Sequence, residues 1–233
     1  MSQMLSALQA GLPCLGLELD LATQEKLCAF GEAVVEQNQV MNLTAITQPE
    51  QVARLHLLDS ISLLTLENLS GKRMIDVGCG AGFPGVPVKI ACPEVNLTLL
   101  DSLGKRMAWL ERILPELGVE AECVTARAEE AVAQRRESYD VATSRAVARL
   151  NVLLELTAPY VKVGGLVLAM KGTAAREELE EAKNAISRLG LKLERVAEFP
   201  VEDTAHAVIV LRKVKPTPVQ YPRRYAKIKQ APL

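Results

Sequence analysis

Met74-Ile75-Asp76-Val77-Gly78-Cys79-Gly80-Ala81-Gly82-Phe83-Pro84-Gly85 decides the fold. Residues 74–77 form an apolar run with one acid inside it and read as a short buried parallel strand. The run breaks into glycines at Gly78, Gly80, Gly82 and Gly85. A glycine has no Cβ, so the backbone can turn sharply and a ligand can come up against it. Residues 84–92 read as a helix, with Pro84 near its start, where a missing N–H costs little. Strand, glycine loop and helix make the generic nucleotide-binding opening of an α/β sheet.

Two spacings fit this stretch. Gly80-Ala-Gly82-Phe-Pro-Gly85 has the letters of the dinucleotide fingerprint. That fingerprint wants its first glycine straight after the strand, which here is Gly78. Counted from Gly78 the spacing is Gly-x-Gly-x-Gly with Asp76 two residues upstream, which resembles the first motif of S-adenosylmethionine-dependent methyltransferases. A pyrophosphate wants a helix N-terminus close by. S-adenosylmethionine has no phosphate and needs room for a ribose and a methionyl arm.

Outward from the loop, the pattern alternates. Residues 95–100 read as a strand ending in Asp101, about twenty residues past the glycines, a spacing that suits a carboxylate accepting ribose hydroxyls. Residues 104–117 read as a helix with Lys105 and Arg106 in its first turn. Cations there oppose the helix dipole, a small cost that makes sense if they hold an anion; solvated surface charge is the plainer alternative. A strand over 121–126 runs into Arg127-Ala128-Glu129-Glu130, where an acid can meet an adenine amino group or simply sit well at a helix start. A fourth strand over 139–145 ends in Arg145, at the edge where such sheets place reacting groups. Residues 149–161 read as a helix and 166–170 as a strand ending in Lys171-Gly172. Residues 177–189 read as a charged outer helix. Residues 191–199 and 206–214 read as a hairpin joined by a short acidic loop. A terminal antiparallel hairpin on a parallel sheet fits a methyltransferase better than a nicotinamide Rossmann domain. On this pattern the fold class is α/β, a mostly parallel sheet with a C-terminal antiparallel hairpin and a helical N-terminal extension, and it resembles a Rossmann-like class I methyltransferase sheet.

That extension covers residues 1–70, ahead of a methyltransferase domain over 71–214 and a basic tail over 215–233. Residues 21–40 carry apolar side chains at helical spacing with Asp20 as N-cap. Residues 41–46 form a non-helical joint, and Pro49 restarts a helix to about residue 69. His56 and Asp59 share a face of that helix. They read as a surface hydrogen bond more readily than as an acid/base couple, and are too few for a metal site.

Composition narrows the classes. At 233 residues and 49% apolar composition, the chain can bury one large α/β core with an appendage. No run approaches 18 apolar residues, so no transmembrane helix is expected. Residues 1–11 lack a basic region, so no signal peptide is expected, and the protein reads as cytoplasmic. The five cysteines are scattered without a C-x-x-C pair, which fits free thiols rather than zinc or disulfides. Lysine plus arginine number 27 against 28 acids, yet Arg212 to Leu233 holds seven basic residues and no acid. An acidic body with a basic tail fits a polyanionic partner, or a solubilising disordered tail, about equally.

Several blocks together carry a resemblance. They are Asn42-Leu43-Thr44, Arg54-x-His56-x-x-Asp59-Ser60, the glycine stretch, Leu99-Leu100-Asp101-Ser102-Leu103-Gly104-Lys105-Arg106, Ser144-Arg145-Ala146, Lys171-Gly172, Tyr221-Pro222-Arg223-Arg224 and Pro232-Leu233. In this order, over nearly the whole chain, they resemble the bacterial small-subunit ribosomal RNA methyltransferase G family, also called glucose-inhibited division protein B. The resemblance implies S-adenosylmethionine as donor and N7 of a guanine in the 530 loop of 16S ribosomal RNA (position 527) as acceptor. It implies that Gly78 and Phe83 line the cofactor, beside Gly80 of the same motif. Ala128, through its backbone, and Glu129 would lie at the adenine, and Arg145 at the edge between cofactor and target.

The chemistry agrees with this pattern. Guanine N7 carries an exposed lone pair and no proton, so no general base is required. Transfer to pyrimidine C5 would want a nucleophilic cysteine after a proline, and Pro13-Cys14 lies outside the core. Transfer to adenine N6 would want a polar-Pro-Pro-aromatic run, which Ala158-Pro159-Tyr160 lacks. On this reading Asp101 holds the ribose and Arg145 acts catalytically by positioning the target. Arg54, Lys105, Arg106, Arg223 and Arg224 hold the RNA backbone, in naked 16S RNA or the small subunit, and the enzyme acts as a monomer. With 3% aromatic residues an extended base-stacking platform is not expected; one flipped base is easier to reconcile, and Trp109 reads as core. The alternatives are a methyltransferase for a small molecule or another RNA position, a nicotinamide-dependent oxidoreductase, and a non-enzymatic RNA-binding module.

Overall fold

The computed structural model describes residues 2–201 and 204–233. The elements run α1 (Gln3–Gly11), α2 (Leu21–Asn38), α3 (Pro49–Val52), α4 (Asp59–Ile61), β1 (Arg73–Val77), α5 (Gly85–Ala91), β2 (Asn96–Asp101), α6 (Gly104–Glu116) and β3 (Glu122–Thr125). They continue with α7 (Ala128–Ala131), β4 (Tyr139–Arg145), α8 (Leu150–Thr157), β5 (Val161–Lys171), α9 (Ala175–Glu181), α10 (Lys183–Arg188), β6 (Leu191–Val201), β7 (Thr204–Lys213) and α11 (Tyr225–Gln230). The hairpin expected at the end is present as β6 and β7, and its acidic loop, Glu202-Asp203, lies outside the described residues.

The strands form one seven-stranded sheet in the order β3-β2-β1-β4-β5-β7-β6. Pairs among the first five positions are parallel, and β7 is antiparallel to both neighbours. The chain leaves β1 toward β2 on one side and later returns to β4 on the other, with Asp76 opposite Leu99 and Thr143. Such a reversal opens a crevice at the carboxyl ends of the strands.

Alternation along β1 divides the interior. Met74 joins one hydrophobic cluster with Leu99, Leu168 and Val210; Ile75 and Val77 join another with Ala142, Leu153 and Val167. Successive side chains of a strand point to opposite faces, so a strand covered on both sides is apolar throughout. The N-terminal helices supply Leu8, Leu27, Phe30, Leu57 and Ile61 to the first cluster. Asp20 caps α2 by accepting from the Thr23 N–H at 2.7 Å. Trp109 is core, 4% exposed and stacked on Phe30.

Three local features differ from expectation. The helical run from Pro49 changes pitch, with a π-helical turn over Ala53–Leu58 between α3 and α4; such turns re-aim side chains and cluster at functional sites. The outer helix is two, α9 and α10, and the break lets Ala175, Ala182 and Ala185 all reach the second core. The tail is docked rather than loose. Lys213, fully buried, donates to the Ala158 carbonyl and the Thr217 hydroxyl, Arg136 donates to the carbonyls of Thr217 and Tyr221, and Ile228 packs on Val152 and Leu156.

Candidate active site

A cleft of about 1260 Å³ opens at the carboxyl ends of β1 to β4. Its floor is the glycine loop. Gly78, at φ +74°, and Cys79 both donate N–H to the Leu100 carbonyl, at 2.7 and 3.1 Å. A Cβ on Gly78 would stand 2.5 Å from a Val147 methyl. Gly80, at φ +58°, faces open space, with only an Arg106 nitrogen within 4 Å of its would-be Cβ. Gly82 faces the core, against Val86, Leu110 and Phe30. The strand ends at Val77, so the spacing counted from Gly78 is the structural one, and the dinucleotide fingerprint counted from Gly80 is not.

One half of the cleft is built from β2 and β3. Asp101 accepts the Gly80 N–H at 3.0 Å on one oxygen and the Leu103 N–H at 2.9 Å on the other. Each oxygen keeps a lone pair for a further donor. Glu129 stands in the first turn of α7, and the Ala128 carbonyl is taken by the Tyr160 hydroxyl at 2.6 Å, which leaves its N–H as the backbone group for a contact. Below the loop, Asp76 is fully buried. One oxygen accepts the Gly85 N–H at 2.8 Å, the other has no partner, and burial pushes its pKa up to about 7.

The other half is built where β4 meets the N-terminal helices. Arg145 donates to the Leu55 carbonyl and to Asp59, each at 3.0 Å, and to His56 Nδ1 at 3.1 Å. Its guanidinium lies 5.1 Å from the centre of the Phe83 ring, on which the His56 ring also stacks at 4.6 Å. Asp59 in turn accepts from His206 at 2.9 Å. The expectation of a surface bond between His56 and Asp59 is corrected here: both are buried, at 7% and 4% exposure, and each bonds to Arg145. Burial and the neighbouring guanidinium push the His56 pKa down to about 4, so the ring is neutral. Nδ1 lies 3.1 Å from both the Arg145 guanidinium and the Leu55 carbonyl, and Nε2 lies 2.8 Å from the Thr44 hydroxyl.

Of the residues expected at the cofactor, Gly78, Gly80, Phe83, Asp101, Ala128, Glu129 and Arg145 all line this one cleft. The RNA candidates divide. Arg106 lines the cleft and reaches the Asn42 carbonyl at 3.4 Å. Arg54, Lys105 and Arg224 are exposed. Arg223 is bound instead to Glu155, which is fully buried, through its N–H and both ends of its guanidinium at 2.6–2.8 Å. It anchors the tail, a different job from the one expected of it. Sequence reasoning gave no role to Thr44 or His206 and read Asp59 only as a partner of His56, though all three line the cleft. The Thr44 and Asp59 blocks were visible as motifs, whereas nothing local marks His206. Among the described residues no group of three or more His, Cys, Asp or Glu could hold a metal ion, and no helix is long and apolar enough to cross a membrane.

Sheet order, antiparallel final strand and a glycine-and-acid cleft define a class I methyltransferase fold. It is shared with precorrin-6y C5,15-methyltransferase of Geobacter metallireducens GS-15, at TM-score 0.51 and 14% identity over 66% of this chain and 85% of that one. It is shared also with M. jannaschii TYW2 in complex with AdoMet, at TM-score 0.53 and 13% identity over 64% and 72%. Residues 23–206 match the family model for rRNA small subunit methyltransferase G, and the chain belongs to that family. Relatives named ribosomal RNA small subunit methyltransferase G include those of Alkaliphilus metalliredigens, 44% identical over 93% of both chains, and Acetivibrio thermocellus, 44% identical over 94% of this chain and 92% of that one.

Proposed function

We propose that this protein transfers a methyl group from S-adenosylmethionine to N7 of a guanine in 16S ribosomal RNA, the guanine at position 527 in the 530 loop. One observation carries the reading. The cleft joins a half made of glycine backbone and carboxylates to a half in which Arg145 engages Asp59 and His56 while Asp59 also engages His206, so that the groups able to act as bases are already bonded to one another. The first half suits a ribose and an adenine. The second suits an acceptor that needs no deprotonation, as guanine N7 does not.

The residues fit the cofactor. Asp101 keeps lone pairs for the ribose hydroxyls, Glu129 and the Ala128 N–H face the adenine position, and the space over Gly80 admits a ligand against bare backbone. When bound, S-adenosylmethionine supplies an activated methyl on a sulfonium. The protein supplies orientation and proximity, where rate enhancement resides for such a reaction. Arg145 positions the target through guanine O6 or a neighbouring phosphate; its Nε–H and one Nη2–H remain for that purpose. Arg54, Lys105, Arg106 and Arg224 meet the RNA backbone. The three-part division at residues 70 and 214 is then functional: the helices shape the acceptor side, the sheet holds the cofactor, and the tail adds basic charge. The enzyme acts as a monomer in the cytoplasm, where its substrate is.

Calorimetry with S-adenosylmethionine on wild type and Asp101→Ala, followed by transfer of labelled methyl to 16S RNA and chemical mapping of 7-methylguanine, tests the proposal. Saturable binding that Asp101→Ala weakens, with label at one guanine N7, is expected. Binding of NADH instead, or label on another atom, overturns it.

A further inference from the structure

Val152 and Leu156 of α8 and Ile228 of α11 form a small apolar cluster apart from the two main ones. Ala128, Ala148 and Tyr225 pack against it. Ala128 opens α7, Ala148 lies in the turn after β4, and Tyr225 opens α11 in the tail. Leu156 and all three of these residues line the cleft. Segments distant in sequence therefore meet at one end of it, the end where the Ala128 N–H and Glu129 stand.

The tail is pinned at this spot. Glu155 holds Arg223 just before α11, and Ile228 is fully buried. Tyr225 and Ile228 are three apart and share a face of the helix, so seating Ile228 turns the tyrosine to the cleft while Lys227 and Lys229 stay exposed. The other walls here are small: Ala126, Ala128 and Ala148 line this end. They leave room for a flat heterocycle and give it little to rest on. Phe83 also lines the cleft, but His56 stacks on its ring and the Arg145 guanidinium meets it. The Tyr225 ring is half-buried and has no aromatic or guanidinium partner among the described residues. A ring with a free face beside a slot of small residues suits a purine, because any base offers a π-face to an aromatic side chain.

We infer that Tyr225 packs its ring against the adenine of S-adenosylmethionine, so that the C-terminal tail forms part of the cofactor site as well as carrying basic charge. This rests on the reading that places the adenine at Ala128 and Glu129. Arg223 and Ile228 then act at one remove from the cofactor, by holding α11 where its first residue reaches the cleft.

The test uses the full chain and two readouts. The first is calorimetry with S-adenosylmethionine. Tyr225→Leu, which keeps an apolar side chain against the cluster and removes the ring, is expected to raise the dissociation constant about 10-fold, the size of one base–ring contact, and Tyr225→Phe to stay within about 2-fold of wild type. The second needs no variant, and so decides even where a substitution fails to fold. The chain has four tyrosines, and Tyr139, Tyr160 and Tyr221 are buried. Tetranitromethane is therefore expected to nitrate Tyr225 first, and saturating S-adenosylmethionine to slow that nitration, mapped by peptide mass. Nitration of Tyr225 at the same rate with and without the cofactor, or an unaltered dissociation constant in Tyr225→Leu, overturns the inference. A raised KM for 16S RNA with the cofactor constant intact gives the ring to the target instead, and overturns it too. In each of these cases S-adenosylmethionine still binds the wild type, and the reading of the cleft stands. A wild type that binds no S-adenosylmethionine brings down that reading, and the inference with it.

Discussion

Arg145 meets a carbonyl, a carboxylate and an imidazole through three separate N–H directions. Only a guanidinium has that fork; a lysine ammonium is a point charge. Arg145→Lys is expected to keep the charge opposite Asp59 and fold, yet to lose about 100-fold in kcat/KM for RNA as the target and His56 lose their geometry. Steady-state kinetics beside a thermal melt reads both. Arg145→Ala is a poorer test, because it also leaves the buried Asp59 short of its cation. Asp76 makes a second prediction. Burial raises its folded pKa from 3.8 to about 7, so the stability it contributes is full below pH 4 and lost as pH rises to 7. His56 runs the other way: its pKa is lowered from 6.5 to about 4, so its contribution is full above pH 6.5 and lost as pH falls to 4. The two slopes oppose. Asp76→Asn removes one, so its stability relative to wild type is expected to rise with pH between 4 and 7, by up to about 1.4 kcal/mol per pH unit. Urea unfolding at three pH values in that window measures it, and a flat difference would refute the assignment.

Among the elements, the glycine loop and the turn after β4 are built against each other. Gly78 has a left-handed backbone and no room for a Cβ, because Val147 packs on it. Ala146, one of two non-glycine residues with positive φ among the described residues, turns the chain to bring Val147 there. Gly78→Ala therefore meets both backbone strain, of about 1–2 kcal/mol, and a clash. It is expected to weaken S-adenosylmethionine binding at least 10-fold with the far-ultraviolet spectrum unchanged; unaltered affinity by calorimetry would show the loop to be looser than this. The glycine spacing was readable in the sequence because one strand, one turn and one helix are local. The π-helical turn was not, since nothing in Ala53–Leu58 forbids an ordinary helix; the bond from Arg145 to the Leu55 carbonyl spans 90 residues.

For the molecule as a whole, the basic tail has two kinds of cation. Arg223 satisfies buried Glu155, whereas Arg224, Lys227 and Lys229 are exposed. Neutralising the exposed three to glutamine is expected to preserve the melting temperature and weaken RNA binding. The slope of log affinity against log salt should become shallower by about 0.7 for each phosphate that is no longer neutralised. Arg223→Ala should instead cost about 3 kcal/mol of stability by stranding a buried carboxylate. Cutting the chain after Val214 confounds the two, since Thr217, Arg223 and Ile228 all leave with it.

The sequence by itself determined the sheet, the glycine loop, the acids Asp101 and Glu129 that line the cleft beside it, and the family. Those signals are local: apolar runs with a period of two, turns that need glycine, and short blocks in fixed order. The half of the cleft around Arg145 was decided by tertiary structure. His56 and Asp59 look like a surface pair along one helix and become buried partners of Arg145 only when β4 is laid beside that helix. His206 reaches Asp59 from 147 residues away, and the tail's fate turns on Glu155, a buried acid that reads as an ordinary helical glutamate. A burial cost and its remedy can come from distant parts of a chain. The sequence shows that a charge is present, and packing decides whether it meets water, an RNA phosphate or another charge.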